Sequence, residues 1–178
     1  LILDKKINYK TILEFYLKRI KRILPALLFV VFISLILGFL LISENSFERI
    51  GKTTLSSIFF VSNFYLWREW GYFDLYSLNK PLLHTWSLSL EMQFYLIFPI
   101  LLLLINFFFK KINIIYKLII LFFLFILLTE LLINEKKIAT FYLLPFRICE
   151  FLMGSIGYYY EKNYKIFNIQ KNYIFIIS

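Results

Sequence analysis

Four stretches of about 20 mostly apolar residues constrain the fold of this chain more than any other feature. A helix needs about that length to cross the hydrocarbon core of a bilayer. The stretches are residues 23–43, 87–109, 114–133 and 141–160, and a fifth begins near Tyr173. The sequence therefore predicts an all-α, polytopic bundle of transmembrane helices with about four to six spans.

The composition agrees with a membrane environment. Hydrophobic residues make up 61% of the chain and aromatic residues 21%, which is more than a soluble domain of 178 residues would bury. The formal net charge of +9 raises the question of nucleic acid. However, the Lys and Arg residues lie in short runs between apolar segments, as expected of connections at a membrane surface. We expect membrane lipid, and no nucleic acid, as a partner.

Disulfide and metal chemistry find no support in the sequence. Cys149 is the only cysteine, so these 178 residues cannot form an internal disulfide, and its apolar surroundings predict a small core residue. No group of His, Cys, Asp and Glu residues has the spacing of a metal site. We expect no metal and no bound cofactor.

The ends of the sequence suggest a part of a longer protein. Residue 1 is Leu instead of Met, and Ser178 falls inside the fifth apolar stretch. We expect residues 1–178 to form the middle portion of a single membrane-embedded domain, with helices before it and a remainder after it.

It is ambiguous whether residues 51–67 cross the membrane, because this stretch is shorter than the other four and includes several hydroxyl and amide side chains. The excess of Lys and Arg on the cytoplasmic side of membrane proteins helps to decide whether they cross. If they dip in and return, 13 basic residues face the cytoplasm and six face outwards; if they cross, the numbers become 11 and eight. The sequence favours a re-entrant segment. Both arrangements place residues 5–22 in the cytoplasm.

The segment PLLHTWSLSLEMQFYLIFP, residues 81–99, places the chain's only histidine and a glutamate at the mouth of an apolar span. In a helix, His84, Ser87 and Glu91 are spaced i, i+3 and i+7 and share one face. Ionisable side chains inside a membrane are costly and normally face a protein interior or a water-filled cavity. This face is therefore a candidate site.

A basic cluster, Lys18, Arg19, Lys21 and Arg22, precedes the first span. Clusters of this kind orient a helix and contact anionic lipid headgroups. Alternatively, Arg19 and Arg22 form an i, i+3 pair that grips phosphate groups beside a helix start, with Pro25 near the beginning of that helix. The residues alone leave both interpretations open.

A second pair of charges, Arg147 and Glu150, lies three residues apart inside an apolar stretch. A helix brings the two side chains to one face, close enough to neutralise each other. A structural ion pair is at least as well supported as a catalytic role. Pro145 is expected to bend or begin this helix.

Taken together, the segments resemble the membrane acyltransferase 3 family, the O-acyltransferases that modify bacterial surface carbohydrates. The resemblance covers nearly the whole chain and rests on the order of four blocks, FYLKRIKRILPAL, SNFYLWREWGYFD, PLLHTWSLSLEMQFYLIFP and FYLLPFRICEFLMG. It implies a bundle of about ten helices in the bacterial cytoplasmic (inner) membrane. It also implies transfer of an acyl group, typically acetyl, from acyl-CoA to a hydroxyl of lipopolysaccharide O-antigen, peptidoglycan or exopolysaccharide.

The resemblance also assigns roles by position. Arg19 and Arg22 match an Arg-x-x-Arg motif implicated in engaging the acyl-CoA donor, and His84 and Glu91 are the candidate catalytic residues. Acyl transfer needs a base for the hydroxyl proton and a donor for the developing oxyanion, which Glu91 and His84 can supply. The residues expected to support the site are Trp86, Ser87, Arg147 and Glu150.

Some family features are changed or lie elsewhere. Met92 stands where many members have a second glutamate, and Cys149 where an aromatic residue is common. The histidine usually regarded as catalytic in the family lies in an earlier membrane helix, which we expect upstream of Leu1. With that histidine as the base, His84 and Glu91 would orient the substrate or relay the proton.

Three alternatives stay open at this point. Ser87 could form an acyl intermediate, although a serine in a helix more often donates to a backbone carbonyl. The protein could be a permease or flippase component for a lipid-linked sugar or small solute, with its buried charges lining the pathway. It could also be a structural membrane subunit whose polar residues hold helices together. Dependence on acyl-CoA separates the enzyme from the last two.

Overall fold

A computed structural model describes residues 9–41, 44–69 and 81–164. Within these ranges the regular structure is entirely helical, which confirms the all-α prediction. The helices are α1 Tyr9–Leu41, α2 Glu44–Ile58, α3 Ser62–Arg68, α4 Thr85–Phe108, α5 Ile114–Leu132, α6 Lys137–Tyr142 and α7 Leu144–Tyr164.

Four segments of the described ranges are long and apolar enough to cross a membrane, namely α1, α4, α5 and the α6–α7 segment Lys137–Asn163. The predicted spans 87–109 and 114–133 coincide with α4 and α5 to within two residues. A multi-pass membrane bundle is therefore confirmed. The fifth apolar stretch near Tyr173 lies outside the described residues, as do residues 70–74 of the block SNFYLWREWGYFD.

Helix α1 begins at Tyr9, well before the predicted first residue 23. Its N-terminal half is helical because Phe15 continues the buried stripe of Ile23, Leu27 and Val31 along one side of the helix. Pro25 consequently lies in the helix interior. The prediction that a helix begins beside Arg19 and Arg22 is wrong, so backbone N–H groups of a helix start do not contribute to a phosphate site there.

Residues 51–67 fold into parts of two short helices, α2 and α3, joined by a tight turn. At 15 and 7 residues, each helix is too short to cross a bilayer alone. Phe60 in the turn has a φ of 55°, the left-handed conformation that ends α2 and reverses the chain. We call this unit the α2–α3 hairpin.

Helices α1 and α4 run antiparallel. The Tyr16 hydroxyl donates to the Leu96 carbonyl at 2.9 Å, whereas Leu27 and Val31, further along α1, pack with Leu82 before the start of α4. The chain therefore enters α4 on the side of the bundle where α1 ends. This is the arrangement that a re-entrant α2–α3 hairpin requires.

Two sets of buried polar contacts join the α2–α3 hairpin to α4. One is a row of hydroxyl groups, in which Ser57 lies 2.7 Å from Thr85, Thr85 lies 3.1 Å from Ser62, and Ser62 lies 2.7 Å from Ser89. Each group in this row has a hydrogen-bonding partner within the protein. Polar groups at membrane depth need such partners, because lipid offers none.

The second set is a pair of amides, Asn63 and Gln93, which we call the amide clip. Gln93 Nε2 donates to the Phe60 carbonyl and to Asn63 Oδ1, both at 2.8 Å. Asn63 Nδ2 donates in turn to the Tyr142 carbonyl at 3.2 Å. Asn63 is fully buried, and the clip ties the turn of the hairpin to α4 and α6.

The predicted span 141–160 is interrupted. Leu143 is extended, with φ −98° and ψ 139°, so Phe141 and Tyr142 belong to α6 and the long helix α7 begins at Leu144. Pro145 has no N–H to donate to the Phe141 carbonyl, and a helix cannot run unbroken through it. Arg147 Nε donates to that carbonyl instead, at 3.3 Å. The prediction that Pro145 bends or begins a helix is confirmed.

Helix α4 lies at the centre of the main apolar core. The Phe94 ring stacks on Phe151 of α7 with centroids 4.8 Å apart. Many apolar side chains of α1 and α5 point outwards, as they would towards lipid or neighbouring helices. The buried members of this core are Phe15, Leu90, Phe94, Phe98, Leu102, Leu118, Leu144, Ile148 and Leu152.

Candidate functional site

The face of α4 that carries Glu91 meets the basic half of α1. Arg22 Nη2 donates to Glu91 Oε1 at 3.0 Å and to the Tyr95 hydroxyl at 3.2 Å. The Tyr95 hydroxyl donates to the same Glu91 oxygen at 2.5 Å. Glu91 Oε1 therefore accepts two hydrogen bonds at once. We call these three residues the Arg22–Glu91–Tyr95 cluster.

Arg19 lies one helical turn before Arg22 and contacts the same tyrosine. Its Cζ atom is 4.1 Å from the centroid of the Phe15 ring and 5.4 Å from that of Tyr95, within cation–π distance. Its Nε is buried and has no hydrogen-bond partner among the described residues. Both arginines therefore converge on Tyr95, which joins the predicted donor-binding pair to the predicted catalytic carboxylate.

The cluster lies within the length of α4 and not at its end. Glu91 is the seventh residue of this 24-residue helix, about 9 Å along the axis from the first. The Arg22 side chain is 61% exposed and that of Glu91 30% exposed. A guanidinium has five N–H donors, and both contacts of Arg22 in the cluster use Nη2. The guanidinium can therefore engage a further oxyanion.

His84 and Ser87 lie at the beginning of α4, and both side chains are exposed. The Ser87 hydroxyl donates to the His84 backbone carbonyl at 3.0 Å, the bond expected of a helical serine. Two turns of helix, about 10 Å, separate His84 from Glu91 on this face. Among the described residues no hydrogen bond joins their side chains, so a shared catalytic role stays a prediction.

Trp86, Arg147 and Glu150 form a separate group on another side of α4. Arg147 forms an ion pair with Glu150, and its Cζ atom lies 5.9 Å from the centroid of Trp86 and 5.0 Å from that of Phe141. Trp86 and Glu91 are five residues apart, which turns their side chains about 140° from each other. The structure thus places Trp86 beside Arg147 and Glu150 but does not bring this group into contact with Glu91.

A groove of about 580 Å³ lies between the end of α5 and the beginning of α7, and Arg147 and Glu150 line it. Cys149 also lines the groove and is half-buried, so the prediction of an enclosed core position is wrong. Within the described ranges, no group of three or more His, Cys, Asp or Glu residues is arranged to hold a metal ion.

Sequence reasoning missed Tyr95, Asn63 and Gln93. Tyr95 follows Glu91 by four residues, so the helical spacing alone could have placed its hydroxyl near the carboxylate. Asn63 and Gln93 are amides in apolar segments, which signals a buried polar contact but does not name the partner. Their pairing joins residues 30 positions apart.

Substitutions can distinguish the two interpretations of the Arg147–Glu150 pair, as a structural ion pair or as a catalytic group. Glu150 is 56% exposed, so Glu150→Gln should reduce the free energy of unfolding by less than about 1 kcal/mol. Arg147→Met removes the hydrogen bond to the Phe141 carbonyl as well and should cost about 1–3 kcal/mol. Thermal unfolding of the purified variants measures both. Loss of activity in Glu150→Gln at an unchanged melting temperature would contradict the structural interpretation.

Comparison with known proteins places these features in a family. The acyltransferase domain of the acyltransferase 3 family matches residues 1–178. An uncharacterized protein of Haemophilus influenzae is 34% identical over 157 residues, which cover 84% of this chain and 63% of that protein. The O-acetyltransferase OatA of Staphylococcus aureus is 39% identical over 106 residues, 58% of this chain and 17% of its own length. No solved structure matches the chain.

The two relatives are longer than this chain, which spans less than two thirds of either. The family match, in contrast, extends over all 178 residues and includes every helix described above. It also includes both arginines of α1 and the Glu91 face of α4. The chain therefore belongs to the acyltransferase 3 family.

Proposed function

We propose that the protein is an integral O-acyltransferase of the bacterial cytoplasmic membrane. It moves an acyl group, typically acetyl, from acyl-CoA to a hydroxyl of a cell-surface glycan such as lipopolysaccharide O-antigen, peptidoglycan or exopolysaccharide. Family membership and the O-acetyltransferase relative support this proposal. The observation that carries it is the Arg22–Glu91–Tyr95 cluster, which places a carboxylate and a cation side by side between two membrane-spanning helices.

In this proposal Glu91 is the general base. It takes the proton of the glycan hydroxyl while the oxygen attacks the thioester carbonyl, a new ester C–O bond forms, and the C–S bond breaks to release CoA. His84 lies two turns away on the same face, so a substrate held between the two turns meets both side chains. The imidazole then donates a hydrogen bond to the developing oxyanion.

Arg19 and Arg22 hold the phosphate groups of the donor. Guanidinium groups suit this task because they remain charged and present parallel N–H groups to phosphate oxygens. The Arg22 side chain is exposed, and Lys18 and Lys21 nearby add positive charge.

Glycan acetylation in cells tests the proposal. Cells that carry the full-length protein with Arg22→Ala, His84→Ala or Glu91→Gln should each lose most of the acetyl ester on their surface glycan. Glu161→Gln, an exposed position at the far end of α7, is the matched control and should keep it. Wild-type acetylation in all three variants at equal protein levels would overturn the assignment.

A measurement in membrane vesicles distinguishes the enzyme from a permease. Vesicles supplied with radiolabelled acetyl-CoA should transfer the label to glycan, and vesicles without acetyl-CoA should not modify it. Movement of glycan or solute that does not depend on acyl-CoA would support the permease instead.

A further inference from the structure

Two grooves adjoin at the connection between α5 and α6. One is the groove of about 580 Å³ beside Arg147, and the other, of about 760 Å³, is lined by Trp67 and residues 134–139. Asn134 and Lys137 line both, so we treat them as one depression, the α5–α6 cleft. We propose that this cleft binds an uncharged stretch of the acceptor glycan, at sugar units beside the one that receives the acyl group. The inference rests on the proposed function, which supplies a glycan as the ligand.

The cleft lies on the side of the bundle opposite the donor-binding arginines. The Phe141 ring, which lines the cleft, is 4.5 Å from the Trp86 ring at the start of α4. The chain enters α4 on the side where α1 ends, whereas Arg19 and Arg22 lie in the first half of α1. With residues 5–22 in the cytoplasm, the cleft is at the outer face, where a cell-surface glycan is found.

The polar side chains of the cleft are available to a ligand. Five of them are exposed and form no side-chain hydrogen bond or ion pair within the described ranges. Together they offer both donors and acceptors, which is what the hydroxyl groups of a sugar require. These five are Glu130, Asn134, Glu135, Lys136 and Lys137.

The charges of the cleft favour a neutral ligand. Its described lining includes three carboxylates and three cations, so no net charge attracts an anion or a cation. Trp67, Phe141 and Phe146 add aromatic rings, on which the apolar faces of sugars pack while their hydroxyls reach the polar groups. A lipid tail or an apolar helix would leave the charged groups without partners, so neither suits the cleft.

The cleft is separate from the proposed base. No member of the Arg22–Glu91–Tyr95 cluster lines it. Trp86, which contacts its wall, faces about 140° away from Glu91 on α4. Each groove has the volume of a site for a drug-sized ligand, about 300–1,000 Å³, so the cleft accommodates more than one sugar unit. It therefore anchors long acceptors, and short ones gain nothing from it.

Binding of the surface glycan to the full-length protein in nanodiscs, without acyl donor, tests the cleft. The glycan is freed of esters by mild alkali and separated into fragments of one repeating unit and of several. The wild type should bind the long fragments about threefold to tenfold more tightly than the short ones. Asn134→Ala and Lys137→Ala should each remove most of this difference. Asn163→Ala, at an exposed position near the end of α7, is the matched control and should keep it.

Cys149 reports directly on what occupies the cleft. It lines the groove, is half-buried, and is the only cysteine among these 178 residues. A membrane-impermeant maleimide added to spheroplasts should label the peptide that contains Cys149, as identified by mass spectrometry. Long fragments should slow this labelling by about threefold or more, and short fragments at the same concentration should not.

The outcomes separate this inference from the proposed function. If the long fragments do not bind, or bind no more tightly than the short ones, or if both cleft variants match the wild type, the inference is wrong. It is also wrong if Cys149 stays unlabelled without glycan, since lipid or another part of the protein then fills the cleft. None of these results affects transfer of label from acetyl-CoA, which tests the proposed function separately. Binding at the cleft without any such transfer would refute the proposed function and leave a glycan-binding site.

Discussion

Replacement of Glu91 by Gln should lower kcat for acyl transfer by about 10²- to 10⁴-fold, the usual contribution of a general base. Gln keeps the size of the side chain and can still accept hydrogen bonds from Arg22 and Tyr95, but it cannot take up the hydroxyl proton. The rate of label transfer from acetyl-CoA to glycan in vesicles, measured at saturating donor, reports kcat directly. Glu161→Gln should leave it unchanged.

The size of this fall in kcat also decides whether Glu91 acts as the base or only orients the substrate. A fall of 10²-fold or more would assign the uptake of the hydroxyl proton to Glu91. A fall of less than tenfold would assign the proton to another group, such as the upstream histidine that the family resemblance implies, and would leave Glu91 as an orienting residue.

Asn63→Leu should lower the free energy of unfolding by about 1–3 kcal/mol, because it removes the amide clip from a buried position. Gln93 loses its bond to Asn63 but keeps the one to the Phe60 carbonyl, and the hydrogen bond to the Tyr142 carbonyl disappears. Leu has a similar volume, so the loss reflects polar contacts more than packing. Thermal unfolding of the purified protein in detergent measures the change.

Asn163 provides the matched control for the amide clip. Its Nδ2 donates to the Tyr159 carbonyl one turn back on an exposed part of α7, so Asn163→Leu should change stability by less than about 0.5 kcal/mol. Equal melting temperatures for the two variants would show that the clip does not stabilise the hairpin. Gln93→Leu should resemble Asn63→Leu, and the double variant should cost less than the sum of the two, since both remove the same contact.

The sequence predicted some helices accurately and others poorly, for physical reasons. Helices α4 and α5 are continuous apolar runs of membrane-spanning length, bounded by charged or polar residues, so length and composition define them. The start of α1 was missed because the four basic residues among 18–22 interrupt the apolar run. The turns before them are helical because Phe15 is buried in the main apolar core and contacts Tyr95 of α4, a tertiary contact that local composition does not encode.

In the candidate site, likewise, the sequence predicted individual residues but not the contact between them. The family resemblance and helical spacing pointed to Arg22 and Glu91 separately, as members of two different motifs. Their hydrogen bond joins residues 69 positions apart and depends on the antiparallel packing of α1 against α4. Neither periodicity nor residue type specifies that packing. Tyr95 was overlooked because a tyrosine in an apolar helix is usually an ordinary packing residue.

The amide clip also imposes an order on the biosynthesis of the protein. Asn63 leaves the ribosome 79 residues before its partner Tyr142, a delay of about 4–16 s at typical rates of translation. Until α4 and then α6 have been synthesised, the polar groups of the α2–α3 hairpin lack their partners there, and lipid cannot replace them. We therefore expect the hairpin to stay in the interfacial region at first. It should enter the bilayer only when α4 and α6, which are synthesised after it, can pack against it.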